Sequence, residues 1–129
     1  EGAVPALAVN DGRGHMTVVR GAPLAPGDHV LGATFDAVEA NRWHVSLLVD
    51  GEVSGEPTDV AMMYGMAPFE GITVGRDPRS PVWWEQHEAH GSFPWTGGQG
   101  PVTYRPGAVA PGMPEDVIPL LRQMGAKFE

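Results

Sequence analysis

The sequence predicts an all-β domain built as an antiparallel β-sandwich. Gly 18 and Pro 13 among 129 residues are too many for long helices but suit a chain that turns often. Short runs rich in β-branched and aromatic residues recur between turn-forming clusters. One pair, Asp50-Gly51, sits between two such runs, where a two-residue hairpin turn of type I′ needs positive φ at both positions.

Taken in order, Val4 to Val9 is apolar but carries Pro5, which places it on an edge or delays its start. Asn10-Asp11-Gly12, extended by Gly14, is a turn, and Met16 to Arg20 is the next strand. Gly21 to Asp28, with two prolines, is a loop. His29 to Phe35 is a strand, Asp36 to Asn41 links it onward, and Trp43 to Val49 leads into Asp50-Gly51 before Glu52-Val53-Ser54 leads out. A strand is expected around Val60 to Tyr64, with methionines filling gaps beside it. Gly71-Ile72-Thr73-Val74-Gly75 is a short glycine-bounded run expected to be a buried strand. Val82-Trp83-Trp84, Phe93 to Trp95 and Val102 to Arg105 complete the strands, with Glu85 to His90 a polar loop between them. Three of the four tryptophans fall between residues 69 and 104, so the core is expected to be richest there. Residues 1–110 form the β domain. Residues 111–129 form a linker and a short C-terminal helix, with Glu115 and Asp116 in its first turn and Gly125 at its end.

The charge balance excludes several partners. The net charge is −8, with Lys127 the single lysine, so no cation cluster exists to hold a nucleic acid or an anionic membrane surface. No run is long enough to span a bilayer. The absence of cysteine removes disulfides, thiolate metal sites and a cysteine nucleophile. No signal peptide is visible, and a cytoplasmic location is the expectation.

Four groups of residues are candidates for function. His87 and His90, with Glu85 or Glu88, have a spacing at which a helix would offer two imidazoles and a carboxylate to one metal. The simpler reading is a polar loop, and no metal or other cofactor is expected. Arg76 and Asp77 sit where a strand exits into Pro78-Arg79-Ser80-Pro81. Asp77 is a cation or sugar ligand in one reading, and the partner of an ion pair or Asx-turn in the other. Trp83 and Trp84 would point to opposite faces of a strand, so one of them is left exposed as a sugar-stacking platform or a partner anchor, or is covered by the chain's own tail. Trp95 belongs to the same aromatic set. Ser92-Phe93-Pro94-Trp95-Thr96 has the Ser-x-Pro spacing of the sulfatase nucleophile motif, but Thr96 stands where that motif needs arginine, which removes the catalytic reading.

The order and spacing of several segments carry a resemblance. Leu24-Ala25-Pro26-Gly27-Asp28-His29, Val49-Asp50-Gly51-Glu52-Val53, Gly71 to Asp77, Ser80-Pro81-Val82, Phe93-Pro94-Trp95-Thr96-Gly97 and Val102-Thr103 together resemble the C-terminal region of large bacterial arylsulfatases, over about residues 20 to 105. The resemblance implies a laminin-G-like or concanavalin-like jelly-roll sandwich that holds neither nucleophile nor metal ligands. It implies a non-catalytic accessory module or small subunit of a hydrolase, partnered by a larger chain or by its own copies. A free-standing carbohydrate-binding module and a small His-dependent metalloenzyme are the alternatives.

Overall fold

Two turn sequences shape the first half of the chain. The computed structural model describes residues 2–61, 73–76, 81–92, 94–108 and 110–112. Strands β1 (Ala6–Asn10) and β2 (Met16–Arg20) pair antiparallel from Ala6↔Arg20 to Asn10↔Met16. Their connection is stapled by its own side chains. Asn10 Oδ1 accepts the Gly12 N–H at 2.8 Å, and Asp11 Oδ1 accepts the N–H groups of Arg13 and His15 at 2.7 and 3.0 Å. Short Asx side chains offer the backbone these local partners in place of a ladder, which is why the strand ends here. β1 begins directly after Pro5, the late start that the proline imposes.

The second sheet forms around β4 (Arg42–Val49). β3 (Leu31–Glu39) lies along one side of it. On the other side, β5 (Glu52–Val53) and β6 (Thr58–Ala61) follow one another as a single interrupted partner. The β4–β5 turn has φ of 53° at Asp50 and 89° at Gly51, the conformation expected of Asp-Gly. Between β5 and β6 the chain bends onto the first hairpin. Ala22 donates to Ser54 Oγ at 3.0 Å, and Gly55, at φ 88°, passes so close to the Arg20 carbonyl that a side chain has no room.

The period of two along β4 decides the core. Val45 and Leu47 are 0% and 4% exposed and face Val9 and Val19 of the hairpin, with Val60 of β6 beside them. Leu7 and Trp43 pack at the margin. Each such side chain contributes about 1.5–3 kcal/mol on burial. The opposite face of the sheet is polar, with His44 Nδ1 2.8 Å from Asp59 Oδ1 across the β4–β6 pair. The architecture is therefore all-β and antiparallel, two sheets face to face, with one short helix among the described residues.

The second half departs from expectation. The helix, α1, spans Trp84–His90, where a strand end and a polar loop were expected. Glu85, Gln86, Glu88 and Ala89 are all good helix formers, and Gly91, at φ 68°, closes the last turn by donating to the His87 carbonyl at 2.7 Å. Local propensity there outweighed the apolar Trp83-Trp84 pair. Thr73 to Arg76 contains no strand and Val74 is 51% exposed, so the described part of the expected Gly71–Gly75 strand is irregular chain. Trp95, Val102 and Tyr104 likewise lie outside strands and are exposed. Among the described residues the core consequently sits in β1, β2, β4 and β6. β3 runs on through Glu39, so only Ala40 and Asn41 separate it from β4. The expected strand beyond Ala61, and the C-terminal helix with its Glu115, Asp116 and Gly125, fall outside the described residues.

Candidate functional site

The hairpin β1–β2 has a second face, and Val82 and Trp83 approach it. Val82 accepts a hydrogen bond from Asn10 Nδ2 at 3.3 Å, and the Arg20 guanidinium lies 5.3 Å from the centre of the Trp83 ring. A cation over an indole is attracted by the ring quadrupole, which holds the Trp83 end of the segment against the hairpin. Trp83 precedes the first residue of α1, and its carbonyl accepts the His87 N–H at 3.1 Å. Pro81, beside it, is buried.

Between α1 and the 94–97 stretch lies a cleft of about 610 Å³. Trp83, Gln86 and His87 line one part of it, and Arg76, Ser92 and Trp95 another. This volume falls within the range of small-molecule clefts, about 300–1,000 Å³. Arg76 Nε donates to Ser92 Oγ at 3.2 Å, so the guanidinium is aimed by a residue on the far side of the helix. The Trp95 backbone N–H donates to Gly75 O at 2.6 Å, and its indole Nε1–H donates to Gly98 O at 3.1 Å. Its ring also lies against Gly97, where an added Cβ would come within 2.6 Å of Cζ2. The indole is thus held in place, yet Trp95 remains 66% exposed.

Of the residues singled out in the sequence, Arg76, Trp83 and Trp95 come together in this cleft. Trp84 does not line it. Its ring is 58% exposed and meets His87 edge-on, at 5.8 Å between centroids and 84° between planes. The strand geometry that set Trp83 against Trp84 is replaced by a helix start. Asp77 lies outside the described residues. His87 lines the cleft, whereas Glu85, Glu88 and His90 are exposed elsewhere on α1. Among the described residues, no three metal-ligating side chains gather at one point, so the His87/His90 pair has no third ligand there.

Sequence reading missed Gln86, His87 and Ser92 as cleft residues. The run of helix formers ending in Gly91 is the signal that would have placed Gln86 and His87 on one helix. It also missed a second cluster, at the β4–β5 turn. Asp50 Oδ1 accepts the Val30 N–H at 2.8 Å, and Oδ2 lies 2.8 Å from His29 Nδ1. The Val30 amide, more than His29, holds the Asp50 carboxyl below its ordinary value, and Asp50, with the Ala25 carbonyl, raises the His29 imidazole.

The fold and the cleft define an all-β antiparallel structure carrying an aromatic-walled cleft. Comparison of the chain with protein-family models, curated proteins and solved structures finds no match. Among the described residues no helix is long and apolar enough to cross a membrane.

Proposed function

We propose that this chain is a non-catalytic accessory module that docks on a larger hydrolase chain, as its resemblance to the C-terminal region of bacterial arylsulfatases suggests. One observation carries the reading. The sheet face that is buried at β4 continues onto β3, where Leu31 and Phe35 pair with Val49 and Val45. There the cover stops, and Leu31 is 55% exposed and Phe35 41%. The β1–β2 hairpin is only two strands wide and packs on β4. An apolar sheet face next to a packed core is the kind of surface that a second domain covers. Full burial of each of the two side chains would contribute about 1.5–3 kcal/mol to association.

The test is co-expression with the hydrolase chain encoded beside or fused to this one. The expected result is a stoichiometric complex with the native chain and its loss with Phe35→Glu, which leaves the β1–β4 core intact by circular dichroism. A native chain that sediments as a monomer in the presence of that hydrolase overturns the proposal.

A second reading is supported by the cleft. A fixed, exposed Trp95 beside Trp83, with hydroxyl, amide and imidazole groups around them, has the composition of a carbohydrate-binding surface, in which apolar sugar faces stack on aromatic rings. The two readings use different residues and are compatible in one accessory module.

A further inference from the structure

We propose that the Trp83–Trp95 cleft selects an acidic sugar, a pyranose bearing a carboxylate, with Arg76 as the residue that reads the charge. The proposal rests on the carbohydrate reading of the cleft and adds the chemical class of its ligand.

Three observations lead to it. The first is the state of Trp95. An exposed indole on a loop ordinarily samples several rotamers, but here the Nε1–H bond to Gly98 O and the contact with the Gly97 backbone hold the ring before any ligand arrives. Stacking on a ring already in place costs little side-chain entropy, which is the condition for a stacking platform.

The second is the aim of Arg76. Its Nε is committed to Ser92 Oγ. This leaves the two terminal nitrogens, which have no partner among the described residues, as an end-on fork at the cleft. Two parallel N–H donors match the two oxygens of a carboxylate, a pairing that neutral hydroxyls reproduce poorly.

The third is the local charge. The chain as a whole carries −8, and its acidic residues outnumber its basic ones two to one. Yet the described residues that line the cleft include Arg76 and His87 and no carboxylate. A concavity whose described lining holds no acid, on so acidic a protein, repels an anionic ligand less than the rest of the described surface and attracts it through Arg76. The face of the sugar ring would lie on Trp95, with its carboxylate against Arg76 and its hydroxyls toward Gln86 and Ser92.

The test is isothermal titration of the full chain with trigalacturonate and with the neutral galactotriose, at low and moderate salt, for the native protein, Arg76→Gln and Trp95→Ala. The acidic trisaccharide is expected to bind at least about tenfold more tightly than the neutral one, and Arg76→Gln should erase that difference. Salt should weaken the acidic ligand alone. Arg76 and Trp95 are both exposed, so both variants should fold, which their thermal unfolding checks. Equal affinity for the two sugars, or acidic binding that survives Arg76→Gln, overturns the inference but leaves the carbohydrate reading standing. Failure of both sugars to bind, or binding untouched by Trp95→Ala, overturns both.

Discussion

Asp50 of the β4–β5 turn holds His29, twenty-one residues earlier in the chain, at 2.8 Å between Oδ2 and Nδ1. The same carboxylate accepts the Val30 N–H, and the Asp50 N–H donates to the Val30 carbonyl at 2.8 Å. One turn residue therefore sets its own hairpin and anchors the loop that delivers β3. Both roles depend on a side chain short enough to reach the backbone of the adjacent stretch of chain while its φ stays positive.

This relationship makes stability depend on pH in a defined direction. His29 is raised above its ordinary 6.5, so its contribution is complete below that pH and fades as pH climbs through the raised value. Asp50 is lowered below 3.8, so its contribution is complete above 3.8 and fades as pH drops through the lowered value. The pair is strongest between those two limits. Asp50→Asn retains an Asn-Gly turn but removes the charge, so the stability gap between native and variant should peak between about pH 4 and 6.5 and narrow on either side. Urea titrations at several pH values measure it, and a flat gap refutes the pairing.

Two substitutions separate the covered half of the sheet from the uncovered half. Val45 is fully buried, and Val45→Ala should cost about 2–3 kcal/mol in transfer and cavity terms. Its cross-strand neighbour Phe35 is 41% exposed, and Phe35→Ala should cost clearly less despite removing more atoms. Chemical denaturation of the isolated chain decides the order. The reverse ranking would mean that β3 is covered after all.

Gly51 and Gly55 both have positive φ, at 89° and 88°, but differ in their surroundings. A Cβ at Gly51 meets open space, so Gly51→Ala should cost only the conformational penalty of about 1 kcal/mol. A Cβ at Gly55 would overlap the Arg20 carbonyl, so Gly55→Ala must also push apart β2 and the β5–β6 bend. Thermal unfolding should show the Gly55 variant markedly less stable than the Gly51 variant.

Closure of α1 offers a further measurement. Gly91 ends the helix at φ 68° with no neighbour in the way of a side chain. Gly91→Ala should therefore destabilise the helix end by about 1–3 kcal/mol without a clash, because φ 68° with ψ −165° is backbone that essentially only glycine adopts. Amide exchange at Gly91, whose N–H bonds the His87 carbonyl, should accelerate while exchange in β4 stays slow. Equal acceleration in β4 would show that the helix and the sheets unfold as one unit.

The first sixty residues were readable because their signals are local. Strand β2 falls on Met16–Arg20 as expected, Pro5 delays β1, and Asp50-Gly51 makes the hairpin turn, since each depends on residues only a few positions apart. From Thr73 onward the reading erred where it took apolar character for strand. Val74, Trp84, Trp95, Val102 and Tyr104 are apolar yet exposed, and nothing in a linear sequence states which apolar residues a core will accept.

The sequence by itself determined the all-β class, the Asp50-Gly51 hairpin turn, the acidic composition and the aromatic set that includes Trp83 and Trp95. Turn chemistry, side-chain period and composition act within a few residues, so they can be read along the chain. Only the tertiary structure decided that Val45 and Leu47 of β4 are buried while Leu31 and Phe35 of β3 stay partly exposed, and that Arg76, Trp83 and Trp95 share one cleft. Those outcomes depend on contacts such as Asn10 with Val82 and Arg20 with Trp83, between residues that only the path of the folded chain brings together.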